Sequence, residues 1–225
     1  LGLFPLYLGF FVWNRGLAIG GIAKVGQTQL VQPFITLAAA AVLLGERIGL
    51  GTVAGLALAT LGSIVIGWGD LRHGSDRLFG DLLALAGALF VAAYLMIGRR
   101  ARGHLSLTAY VAVVYSVAMV TLLAVVGTSG RPMLGFTPTA YGWAAALGLI
   151  PQLVGHSTLN WALRYLSATL VAVVTLAEPI GSSVLAYLLL HESITPSTAL
   201  GGAVVLLGIV LASRAEGTGQ QTPAP

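Results

Sequence analysis

Eight stretches of mostly apolar sequence divide this chain from end to end, near 1–19, 22–44, 50–69, 80–98, 107–127, 139–160, 167–190 and 197–213. Each holds about 20 residues, the length that spans a bilayer's hydrocarbon core as a helix. Inside lipid every backbone N–H and C=O needs an internal partner, and apolar runs of this length find one only as helices. The fold class that follows is an all-α integral membrane protein, a bundle of about eight transmembrane helices. Charge agrees: 8% of the residues are charged and 57% are hydrophobic, against about 25% charged in a soluble domain.

The interruptions carry the polar residues. Residues 70–79 form a linker rich in Asp, Arg, Gly and Ser. Arg99, Arg100, Arg102 and His104 make a basic turn. That turn predicts the cytoplasmic side, and counting spans from it places the C-terminus, with Arg214, in the cytoplasm of a cell-membrane protein. Thr195 and Pro196 open the last span as N-cap and first helical residue. Residues 214–225 read as a polar, disordered tail. With no cysteine, disulfides and thiolate metal sites are excluded. His73, His104, His156 and His191 have no metal-ligand spacing, and no phosphate-binding loop is present, so neither a metal nor a cofactor is expected. The net charge of +4 is scattered, which gives no support to nucleic-acid binding.

The chain also repeats itself. A shift of 146 residues aligns 7–68 with 153–214 without a gap, with 16 identities in 62 positions. Asn14 falls on Asn160, Pro33 on Pro179, Glu46 on Glu192, Gly55 on Gly201 and Gly62 on Gly208. Equivalent spans lie five crossings apart. Five is odd, so the copies must be inverted with respect to each other, an arrangement found in secondary transporters with binding near the midplane. The copies divide as 1–69, three spans, and 80–213, five spans. The expectation is the last eight spans of a ten-span, 5+5 inverted-repeat fold.

Pro33 followed by Leu43-Leu44-Gly45-Glu46, and Glu178-Pro179 followed by Leu189-Leu190-His191-Glu192, resemble the EamA-type drug/metabolite transporter family. Gly55, Gly62, Gly201 and Gly208 fit the same pattern. The resemblance implies alternating-access transport of a small metabolite through a central cavity lined by the first, third and fourth helices of each half. Here the second Leu-Leu-Gly-Glu motif carries His191 in place of glycine.

Glu178 is the sharpest candidate, because it lies midway along its span. A bare carboxylate there costs about 2.5–3.5 kcal/mol, so it must be protonated, paired or facing a wet cavity. Thr175, Glu178 and Ser182 share a helix face, and Pro179 leaves the carbonyl of Thr175 without its amide donor. The other copy repeats the stripe as Gln29, Gln32 and Thr36, with Pro33 as the kink. The two stripes would then meet across the pseudo-twofold axis. A buried network that ties helices together is the structural alternative. His156 is a candidate partner for Glu178, or else an interhelical hydrogen-bonding group. Asn14 and Asn160 read as structural. Tyr94, with Phe90, offers either an aromatic surface for substrate or packing. Glu46 and Glu192 end their spans, where a carboxylate opposes its own helix dipole; each is expected to cap the following helix instead. The glycines at 51, 55, 201 and 208 mark scaffold or dimer faces.

The leading functional reading is a secondary transporter of a small polar or amphipathic metabolite, not an enzyme, with the bilayer and its substrate as partners. A proton as coupling ion and a homodimer both stay open. The competing readings are a non-transporting membrane scaffold or fragment, and a membrane-embedded enzyme. The enzyme would need clustered nucleophiles or ligands that Glu178 and His156 alone do not supply.

Overall fold

Glycine sets a close approach between two helices in this molecule. A computed structural model describes residues 29–67, 78–130 and 134–219, together with Val12 and Arg15. Asn14, the rest of the span at 1–19, most of the 70–79 linker and residues 220–225 lie outside the described residues. Helix α1 is Gln32–Leu44, preceded by a 3₁₀ turn at Gln29–Val31 and widening into a π turn from Ala40. It is followed by α2 (Leu50–Ile66), α3 (Leu78–Arg102) and α4 (Leu107–Ser129). Helix α5 runs in three consecutive pieces, Pro138–Leu147, Gly148–His156 and Ser157–Ala162, the middle one a π-helix with Pro151 inside. Then come α6 (Ala168–Thr175), α7 (Glu178–Leu190) and α8 (Pro196–Gly219).

Four described segments are long and apolar enough to cross a membrane: Leu82–Arg102, Leu107–Ser129, Ala168–Leu190 and Pro196–Glu216. Helices α1 and α2 are shorter apolar helices. Helix α4 presents Val113, Val117, Val120 and Leu123 outward, with Val120 62% exposed. An exposed apolar face of this kind suits lipid as its solvent.

Among the described residues, the most extensive contact joins α2 to α8, the last helices of the two copies. A Cβ on Gly55 would sit 2.6 Å from Gly208 O and from Ala212 N, and one on Gly62 would sit 2.6 Å from Gly201 O and from Val205 N. Only glycine permits this backbone approach. The 146-residue shift turns the first pair into the second: 55 becomes 201 and 208 becomes 62. Leu56, Ala59, Val205 and Ala212 fill the space around the seam with no exposed surface. These glycines therefore form an internal scaffold between the copies; the alternative of a dimer face does not apply to this seam.

Two faces organise the bundle. At one, α1, α3, α5 and α8 end while α2, α4 and α6 begin; it is called the Glu46 face below. At the other, Ile66 meets the 191–195 loop and the start of α8, giving the Glu192 face. Helix α8 continues to Gly219, past the boundary where the sequence reading started a disordered tail. The basic turn is also more ordered than expected. Arg99, Arg100 and Arg102 belong to the last turn of α3, and Arg102 is only 2% exposed.

Candidate functional site

The span at Ala168–Leu190 is a broken helix. Helix α6 stops at Thr175 and α7 starts at Glu178. Pro179 is the cause, since it cannot donate to the carbonyl four residues back and its ring crowds that carbonyl. The chain tightens across the gap: Leu176 N donates to Val173 O at 3.1 Å and Ala177 N to Val174 O at 3.0 Å. The carbonyl of Leu176 turns toward the other copy, where Ser63 of α2 donates to it at 3.4 Å while also reaching Ala59 O at 3.1 Å. No sequence motif marks Ser63; its contact crosses 113 residues.

Glu178 occupies the first position of α7 and is exposed. A helix N-terminus carries partial positive charge that favours a carboxylate. One turn on, Ser182 Oγ donates to Pro179 O at 3.1 Å, and the neighbouring Ser183 Oγ does so at 2.7 Å. Thr175 Oγ1 donates to Ala172 O at 2.7 Å. Beyond Ser182 and Ser183 lies a cavity of about 490 Å³, bounded also by Glu192, Thr195, Thr198 and Ile66. Of the expected polar stripe, Ser182 lines this cavity, and Thr175 and Glu178 are not among its lining residues.

The first copy places its proline at the matching helix start. The 3₁₀ turn at Gln29–Val31 precedes α1, whose first two residues are Gln32 and Pro33, matching Glu178 and Pro179. The side chain of Gln29 lies outside the described residues. Gln32 Nε2 donates to Thr36 Oγ1 at 2.7 Å, and the pair is sealed, with Gln32 4% and Thr36 0% exposed. Helix α1 packs on α3 and α6, whereas α7 packs on α8. The two stripes therefore differ in surroundings. The chemistry explains it: an amide and a hydroxyl four residues apart satisfy each other when buried, but a carboxylate needs donors or water.

His156 closes the π-helical piece of α5 and is half-buried. Among the described residues no hydrogen bond or ion pair joins it to Glu178. One turn on, Asn160 is fully buried and accepts from Tyr94 Oη at 2.6 Å. Tyr94, 3% exposed, sits in the packed interior and offers no open aromatic surface. Tyr115 donates to Gln152 O at 3.0 Å and shares a 3.0 Å bond with Ser157 Oγ, tying α4 to the widened turn. A π turn with an internal proline has unevenly served carbonyls, and that was the signal available in the sequence for Tyr115.

Glu46 does not cap the following helix. Its Oε1 accepts from Ala168 N at 2.9 Å and its Oε2 from Thr169 Oγ1 at 2.9 Å, so it caps α6 in the other copy. The α2 N-cap is Gly49, with no side-chain bond. Glu192 caps nothing at α8 either, where Thr195 Oγ1 accepts from Thr198 N at 3.2 Å, in line with the N-cap read from sequence. The reason is the turn just before each glutamate. Gly45 (φ 66) and His191 (φ 58) are left-handed, and the next amides fold back, Glu46 N to Ala40 O at 3.1 Å and Glu192 N to Ala186 O at 3.3 Å. The chain reverses there and points the carboxylate away from the helix that follows. A second cap escaped the sequence reading: Glu216 accepts from Ser167 N and Ser167 Oγ, each at 2.9 Å.

Comparison with known proteins gives a consistent result. The sequence profile of the EamA-like transporter family matches residues 1–68 and 78–214. An uncharacterized transporter of Bacillus subtilis, YdeK, is 54% identical over 54 residues, which cover 24% of this chain and 19% of that protein. Two uncharacterized transporters of Archaeoglobus fulgidus are 24% identical over 217 residues and 27% identical over 219, covering 92% and 95% of this chain and 76% of each relative. A crystal structure at 21% identity matches with a TM-score of 0.81, covering 96% of this chain and 74% of that one.

Proposed function

This chain belongs to the EamA-like transporter family, and on that premise we propose that it moves a small metabolite across the membrane by alternating access between two inverted copies, 1–69 and 80–213. The observation that carries this reading is the broken span with Glu178 at the head of α7. Discontinuous helices near the midplane expose backbone ends and side chains that an unbroken helix keeps to itself. Glu178 supplies a site for a proton or for the ammonium group of a substrate. Ser182, Ser183, Thr195 and Thr198 line the way to the Glu192 face with hydroxyls, and Glu192 adds a second carboxylate at the mouth. Among the described residues, none that lines the cavity is basic. That chemistry favours an amine-bearing or neutral polar substrate over an anion. The Arg-rich Glu46 face takes the cytoplasmic side.

The test is uptake into liposomes holding the purified protein, screened over amines, amino acids and neutral metabolites, with Glu178→Gln alongside. Substrate-dependent flux that falls at least tenfold in the variant, the cost of one lost charge interaction of about 1.4 kcal/mol, is the expected outcome. Flux unchanged in rate and pH dependence would remove Glu178 from the mechanism. No flux of any compound under any gradient would overturn transport itself.

A further inference from the structure

The corner between α5 and α6, residues 163–167, is held from both sides by charged groups, each opposite in sign to the helix end it meets. On the α5 side, Arg99 donates to Leu163 O at 2.8 Å and Arg164 O at 3.0 Å, and Arg102 Nε to Asn160 O at 2.9 Å. Guanidinium groups thus face the negative end of a helix. On the α6 side stand the carboxylates of Glu46 and Glu216, at the positive end of the next helix. Ser167 Oγ accepts from Leu170 N at 2.9 Å, so every amide from Ser167 to Leu170 has a partner. The three holding elements are α3, the turn after α1, and α8. Glu46 comes from the first copy and its targets from the second.

What lies beneath this corner is closed. Leu163, Ala168 and Ala172 have no exposed surface, Val171 has 1%, and they pack on Ala40 and Tyr94. The opposite end is open, with Ser182 and Glu192 exposed at the 490 Å³ cavity and Glu178 exposed one turn before Ser182. We propose that the charged corner is a latch that shuts the Glu46 face, and that freeing α6 from Glu46 and Glu216 lets the path open there as the Glu192 face closes. This inference rests on the transport reading, and it gives that reading its gate. Rocking one copy against the other must break the Glu46 bonds, because they are the bonds that cross between copies at this corner. The α2–α8 seam also crosses between copies, but it consists of packing contacts that need not break in such a rotation. Glu46 and Glu216 are therefore positioning residues: they hold α6, and through it the break at Leu176–Ala177 and Glu178.

The chain has no cysteine, so sided labelling needs no background removed. Two reporters in the full chain, reconstituted in liposomes, read the two ends: Ala172→Cys under the latch and Ser182→Cys in the open cavity. A membrane-impermeant maleimide should modify Ser182→Cys readily and Ala172→Cys slowly. Adding Glu46→Gln, or Glu46→Ala with Glu216→Ala, should raise labelling at residue 172 from the Glu46 face about tenfold, the scale of one charge-assisted hydrogen bond, and lower it at residue 182. The opposite movement of the two rates is the decisive readout. Rates that rise together mean general loosening and overturn the latch, as do rates that stay unchanged. Should the double variant fail to fold, Glu46→Gln preserves side-chain size and gives the same comparison. Labelling reports the conformation whether or not a substrate is known. A shift in labelling without flux would sink the transport reading and keep the latch; flux without a shift would do the reverse.

Discussion

Gly45 and His191 occupy equivalent places at the ends of α1 and α7, and both are left-handed, with φ of 66 and 58. Glycine accepts that conformation freely, whereas a side chain pays about 1–2 kcal/mol for it. His191→Gly should therefore stabilise the protein by about 1 kcal/mol and Gly45→Val should destabilise it by at least that much, both readable from unfolding titrations in mixed micelles. Sequence alone exposed the motif and its recurrence. It did not reveal which helix Glu46 serves, because a capping carboxylate and its target lie 122 residues apart and only the fold brings them together. Glu216 stayed hidden for another reason: the Gly-, Gln- and Pro-rich residues after it mask a helical turn whose capping partner, Ser167, is remote. Tyr94→Phe removes the bond to Asn160. Its expected cost is about 0.6 kcal/mol, the average for hydrogen bonds between helices in lipid, and a double-mutant cycle with Asn160→Leu would isolate it.

At the scale of elements, Pro179 marked the place where one span divides into α6 and α7, since a proline inside a helix removes a backbone bond. The widened turn in α5 was less legible, because proline alone does not say whether a helix bends, breaks or adds a residue to its turn. The seam between α2 and α8 was visible as repeated glycines, yet periodicity could not tell an internal contact from one between molecules. Its geometry makes a sharp forecast. Gly55→Leu would drive a side chain into Gly208 O and Ala212 N, and overpacking of this kind costs about 1–3 kcal/mol or more. Gly127→Leu, on the lipid face of α4 with nothing within 4 Å of its Cβ position, should leave stability unchanged or slightly raised. If both substitutions cost the same, the seam is not the tight contact described.

For the molecule as a whole, α1 and α2 match α7 and α8 in backbone and differ in what they place on it. Gln32 is sealed against Thr36, while Glu178 stands exposed at the matching point. Gln32→Glu would force a carboxylate into the closed site and should destabilise the protein by about 2.5 kcal/mol, whereas Glu178→Gln should leave stability nearly unaltered; chemical unfolding of the two variants decides it. The glycine seam has a further consequence. Its contacts exchange into one another when the copies trade roles, since the pair Gly55 and Gly208 becomes Gly201 and Gly62. A fulcrum made of self-exchanging contacts weighs the same on either side of the balance. It can carry a rotation without favouring its start or its finish, and any preference of the molecule for one orientation must be written in the residues that the two copies do not share.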